Sequence, residues 1–116
     1  MTTTTNENRV TIFERDGYRC PHCGHRANSV QHRANRGMGG SKHRDNPSNL
    51  LAFCWDFNTL MESDADAAET GLKNGWKLTQ YQDPRTTPYF DFADDQWYLL
   101  DDEYCRIPFT PEPETP

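Results

Sequence analysis

Cys20-Pro21-His22-Cys23-Gly24 is the first stretch of this chain whose residue types and spacing could do chemistry. Two thiolates at Cys-x-x-Cys spacing in a turn can grip one zinc ion from one side, and the glycine frees the backbone beneath them. A complete structural site wants four ligands. Cys54 is a candidate third, arriving from the end of a strand, and His25 or Cys105 could supply the fourth. The competing reading is two small buried residues with no metal. The second stretch is Val30-Gln31-His32-Arg33. An imidazole titrates near neutral pH, so His32 is a natural general base. Arg33 and Arg36 follow it directly, with Lys42 and Arg44 further along, and could hold anionic groups such as phosphates. Gly37, Gly39 and Gly40 between them would let backbone approach a ligand closely. His22, His25 and His43 read as solvated side chains.

These residues need elements to position them. Arg9–Arg19 has Val10, Phe13 and Glu14 in helical spacing and predicts a short helix ending at Gly17. The Cys20–Gly24 turn follows. Residues 27–32 form a strand candidate, 33–48 a polar loop, and 49–55 a second, apolar strand. Asn58–Lys73 is rich in helix formers and predicts one helix, with Gly75 suited to its end. Residues 76–81, 89–92, 96–100 and 104–108 read as short strands, with Asp94-Asp95 and Asp101-Asp102-Glu103 as turns. Residues 1–8 read as a polar arm and 109–116 as a Pro/Glu tail. The expected class is α+β.

In this order, the pieces resemble HNH endonucleases of the zinc-knuckle type. The lead-in Arg15-Asp16-Gly17-Tyr18-Arg19-Cys20-x-x-Cys23-Gly24, the strand ending in His32, the Gly-Met-Gly-Gly loop, the Asn49-Leu50 strand and Cys54…Asn58 carry the likeness. It spans about residues 9–76. It is strongest toward the small HNH proteins of actinobacterial phages, where strings such as Gln-His-Arg-x-Asn-Arg-Gly-Met-Gly-Gly and a later Gly-Trp-Lys-Leu also occur. The resemblance implies a ββα-metal core over 9–80, with the Cys-x-x-Cys knuckle before it and a β appendage over 81–108. It implies a divalent ion (Mg²⁺ or Mn²⁺), structural Zn²⁺, and DNA, double-stranded, as substrate. By the same likeness His32 activates water and Asn49 braces the loop between the strands and orients the base. Asn58 would be the ligand of the divalent ion, with Gln31 beside the base as a second. Two positions depart from the pattern. Gln31 stands where the family offers Asp or His, and Phe57 stands where zinc-bearing relatives place a fourth cysteine. Glu62, one turn past Asn58, could support the metal shell or face solvent.

Composition bounds these readings. The AVILMFWYC set is 34% of 116 residues, so the core is small and a metal staple would help it. The longest apolar run, Leu50–Trp55, is far short of the ~20 residues a membrane helix needs. Residues 1–8 have no basic or apolar leader pattern, so four cysteines read as thiols or metal ligands and the expected location is cytoplasmic, in the host bacterium if phage-encoded. Residues 1–50 carry eight basic groups against four acids, while 51–116 carry four against fourteen, within a net charge of −6. The basic half could meet a polyanion. The acidic, aromatic half suggests a second reading: an inactive protein of HNH fold that binds DNA or a host protein. Trp97, Tyr98 and Tyr104 in that half read as core.

Overall fold

The computed structural model describes residues 6–34 and 45–111. Arg36, Lys42, Arg44, His43 and the three loop glycines lie outside the described residues, so the substrate-binding roles expected of Arg36, Lys42 and Arg44 have no structural account here. The chain is α+β. Helix α1 (Asn6–Arg15) leads through the cysteine turn to strand β1 (Ser29–His32). A 3-10 turn (Pro47–Asn49) runs straight into β2 (Leu50–Phe53). Helices α2 (Trp55–Ser63) and α3 (Ala65–Lys73) follow, then β3 (Tyr89–Asp91), β4 (Gln96–Leu100) and β5 (Arg106–Phe109). The strands form two antiparallel sheets, β1-β2 and β3-β4-β5. No helix among the described residues is long and apolar enough to cross a membrane.

The β1-β2 register, with Ser29 opposite Phe53 and His32 opposite Leu50, sorts side chains by alternation. Leu50 and Ala52 pack with Ile12, Phe13 and Val30 on the α1 side. Leu51 and Phe53 pack with Met61, Trp76 and Tyr89 on the other. A one-residue slip would exchange the two sets, so the two cores together fix the pairing. The α1 side is locked by a buried ion pair. Arg15 Nε and Nη2 donate to the two oxygens of Asp16 at 2.8 and 2.9 Å. The same guanidinium donates to the carbonyls of Pro47 and Leu50, and Asp16 accepts the Ala52 amide at 2.9 Å.

Three expectations need correction. Residues 6–8 belong to α1 rather than to an arm, and the Asn8 side chain accepts the Tyr104 hydroxyl hydrogen at 2.9 Å. The single helix over 58–73 is two helices. At Asp64 the backbone is extended (φ −122°, ψ 127°) and the carboxylate accepts the Ala67 amide at 2.9 Å. That local bond starts a new helix in place of continuing the old one. No strand forms over 76–81; the only pairing there is an isolated parallel bridge between Ala34 and Leu78. The Trp76 and Lys77 amides instead donate to Gly71 O, closing the end of α3. Gly75 turns the chain at φ +75°, and a Cβ there would sit 2.0 Å from Pro88 O.

Trp76 is fully buried at the centre of the molecule. Its ring meets Phe53, Phe57, His22 and Phe92 at centroid distances of 5.4 to 6.0 Å, and its indole N–H donates to Phe90 O at 2.8 Å. One side chain thus joins the cysteine turn, the hairpin, α2 and the C-terminal sheet. In that sheet Arg106 stacks on Tyr98 at 3.6 Å and donates to the Tyr89 hydroxyl, Asp91 and Asp94. Trp97 sits edge-on to Phe90, and Tyr98 and Tyr104 pack against the two cores.

Candidate functional site

Two separate constellations stand on this frame. The first is a thiol cluster. The sulfurs of Cys20, Cys23 and Cys54 all lie within 4.8 Å of one another. The Cys20–Gly24 turn presents two of them, closed by Gly24 N donating to Cys20 O and by Cys20 N donating to His25 O, both at 2.8 Å. The third comes from the β2-α2 junction, where Cys54 caps α2 and its sulfur accepts the Phe57 amide at 3.5 Å. Cys20 is fully buried, Cys54 half-buried and Cys23 exposed. Burial pushes the Cys20 thiol up to about 12, against backbone N–H groups of Cys23, Cys54 and His22 that favour its thiolate. The arrangement has donors aimed at a sulfur that burial keeps protonated. A bound cation would resolve that conflict by supplying the missing positive charge. The donor set fits zinc, or another soft metal, with three ligands in place. Cys105 takes no part; it is exposed, in the β4-β5 turn, with its thiol on Glu103 O.

The second constellation sits at the open end of the β1-β2 hairpin. His32 Nε2 lies 2.8 Å from Asp45 Oδ1, with the two side chains 22% and 28% exposed. An imidazole that donates its Nε2–H to this carboxylate carries its acceptor lone pair on Nδ1, which has no partner among the described residues. Asn49 braces the turn beside it. Its Oδ1 accepts the Ala34 amide at 2.8 Å, its Nδ2 donates to Ala34 O at 3.2 Å, and its carbonyl accepts the Arg33 amide at 2.8 Å. The two chains leaving the hairpin are thereby held together immediately beyond His32. Asp45 was missed by sequence reasoning, since nothing in its spacing from His32 marks it. Asp102, expected only as a turn residue, also matters: it accepts the Ser48 amide and hydroxyl and the Asn46 side chain, tying the C-terminal sheet to the turn before β2.

Other expected site residues lie elsewhere. Arg33 is 1% exposed and is no surface clamp. Its guanidinium donates to the carbonyls of Gly75, Ser48, Pro84 and Thr87 at 2.6 to 3.0 Å. Burial pushes it down to about 10, so it stays charged at neutral pH. Gln31 is also buried, with Nε2 donating to Trp76 O at 3.2 Å. Asn58 Nδ2 donates to Ser29 Oγ at 3.2 Å. Ser29 is at the far end of β1 from His32, about 10 Å away at ~3.3 Å per residue. Alternation also puts Ser29 and Gln31 on the opposite face from His32. Gln31 and Asn58 thus spend their amides on internal hydrogen bonds away from the face of His32, and as arranged these two expected ligands do not fit a catalytic divalent ion beside that base. Glu62, half exposed, pairs with Lys77 at 3.6 Å and not with any metal group.

The surface charge is correspondingly rearranged. Arg15 and Arg33 are spent inside. Arg9 lies over Phe13 and Arg26 over Tyr18, at 5.5 and 5.0 Å, while Arg19 is 3.9 Å from Asp94. Among the described residues of the first half, Arg19 and Arg26 are the exposed arginines, both at the cysteine turn. Comparison with protein-family models, curated proteins and solved structures gives no match to this chain.

Proposed function

We propose that this chain is a phosphodiester hydrolase of the HNH type acting on DNA, with a zinc-stapled ββα core in which His32 is the general base and Asp45 its positioning residue. The observation that carries the reading is the His32–Asp45 pair at the mouth of a hairpin braced by Asn49. Asp45 holds the Nε2–H and leaves Nδ1 to take a proton from a water molecule. The hydroxide so formed attacks phosphorus as the P–O bond to the leaving oxygen breaks, and that oxygen takes a proton from solvent while the imidazolium returns its own to water. Asn49 keeps the two hairpin exits together, so the imidazole stays where a backbone phosphate can approach. The order hairpin, then helix, and the sulfur cluster behind it support the same reading. Zinc on Cys20, Cys23 and Cys54 would supply a rigid cross-link between the cysteine turn and α2. No step is assigned to a second, divalent ion, because Gln31 and Asn58 are committed to other bonds. The test is duplex oligonucleotide cleavage by wild type and His32→Ala. Loss of cleavage in a folded variant is expected; unchanged cleavage removes His32 from the mechanism.

A second reading has its own observation. Gln31, Arg33 and Asn58 are all spent on internal hydrogen bonds, as in a fold kept for binding after catalysis is lost. On that reading the wild type binds duplex with a steep salt dependence and cuts nothing.

A further inference from the structure

Zinc bound by thiolates takes four ligands in a tetrahedron, and sites with only three protein ligands hold a small exchangeable molecule in the fourth place. Here three sulfurs converge, and among the described residues no fourth Cys, His, Asp or Glu atom joins them. The two halves of the cluster are alike up to one residue. Cys20 is followed at the third position by Cys23. Cys54 is followed at the third position by Phe57, whose amide still donates to the Cys54 sulfur. Phe57 thus stands, in sequence offset, where the first pair has its second cysteine. Its ring stacks on His22 at 3.9 Å and 11°, and both rings meet the edge or face of Trp76, so Phe57 is held by packing. Beside the pair lies a cleft of about 470 Å³, open to solvent and lined by Cys23, Cys54, His22, His25 and Asp56 among others. The Nδ1 of His22 is the one buried side-chain polar atom among the described residues that has no hydrogen-bond partner.

We infer that the three-cysteine centre is an open metal site: its fourth position faces this cleft and takes an exogenous small donor, water at rest and a neutral nitrogen ligand such as imidazole on addition. Three thiolates already outweigh the charge of Zn²⁺, so a neutral nitrogen donor can complete the four ligands without adding charge. The inference rests on metal binding by the three cysteines and is independent of His32.

Cobalt substitution tests it, with Cys105→Ser as the background so that the exposed thiol does not compete. Co²⁺ is expected to give sulfur-to-cobalt charge-transfer bands at one ion per chain. Added imidazole is expected to shift the d–d bands saturably. Phe57→Cys is expected to bring in a fourth thiolate, raise the charge-transfer intensity and abolish the imidazole response. Wild-type bands that ignore imidazole overturn the open position. So does a change in the resting bands of His22→Phe, His25→Ala or His43→Ala, which would reveal an internal fourth ligand. Absence of any sulfur-to-cobalt band overturns the metal centre itself, a result separable from the other two.

Discussion

Replacing Arg33 by methionine separates a structural arginine from a phosphate clamp. The side chain is 1% exposed and satisfies four carbonyls, those of Ser48, Gly75, Pro84 and Thr87, drawn from three segments distant in sequence. Methionine roughly fills the volume and removes a buried charge, which is a gain. It also strands up to four acceptors, at ~1–3 kcal/mol for each one that water cannot reach. Two of those bonds, to Pro84 and Thr87, are only partly buried, so water can replace them. Counting the two fully buried bonds, to Gly75 and Ser48, gives a loss of ~2–6 kcal/mol, reduced by the gain from removing the buried charge. Set against a usual domain stability of ~5–15 kcal/mol, that is a large fraction. Urea unfolding of zinc-loaded wild type and Arg33→Met, followed by circular dichroism, reads it directly. A loss of unfolding free energy under ~1 kcal/mol would refute the structural role, above all if duplex binding fell at the same time.

Other expected outcomes follow from the same geometry. Asp45→Asn should leave folding unchanged but slow cleavage, because an amide no longer holds the Nε2–H and lets the ring turn or change tautomer; an unchanged rate removes Asp45 as the positioning group. Trp76→Ala, at the junction of four elements, should cost about 3–5 kcal/mol, and a chemical-denaturation midpoint within ~1 kcal/mol of wild type would contradict its central place. Chelation of metal, or Cys20→Ser, should lower the thermal midpoint and expose the β2-α2 junction to hydrogen exchange; equal protection with and without metal would mean that the cysteines staple nothing. The Asp94 carboxyl is held below its ordinary range by the Tyr98 hydroxyl and, secondarily, by Arg106. Its contribution is therefore full above the unfolded carboxylate range and is lost as pH falls through the lower folded value. Asp94→Asn should flatten the decline in thermal midpoint on acidification, and a parallel decline would exclude it.

How much of this could be read from the chain differs by residue. The α+β class follows from the helix formers and from the short strand candidates between turn residues, the β1-β2 pairing was implied only by the resemblance, and the sulfur cluster follows from Cys20-x-x-Cys23 with a third cysteine at a strand end. Asn49 as the brace was legible only through resemblance. Arg33 was not legible at all. An arginine after a histidine in a glycine-rich stretch reads as surface, and its burial depends on carbonyls up to 54 residues away. His32 and Asp45 stand 13 residues apart, a separation that no regular element dictates, so sequence spacing cannot declare the pair. The break at Asp64 illustrates local competition: helix propensity is good on both sides, and one carboxylate-to-amide bond decides for two helices. The strand expected at 76–81 failed because the Gly71 carbonyl had already claimed the Trp76 and Lys77 amides.

The central claim is that His32, oriented by Asp45, cuts a phosphodiester backbone. The most direct measurement is conversion of supercoiled plasmid by zinc-loaded protein, in Mg²⁺, Mn²⁺ and a chelator too weak to strip zinc, with wild type, His32→Ala and Asp45→Asn purified side by side. Wild type is expected to give nicked or linear product, His32→Ala none, and Asp45→Asn slower conversion. Salt-sensitive binding of the plasmid by folded wild type, with no conversion under any of these conditions, would contradict that claim and leave the fold to a binding role.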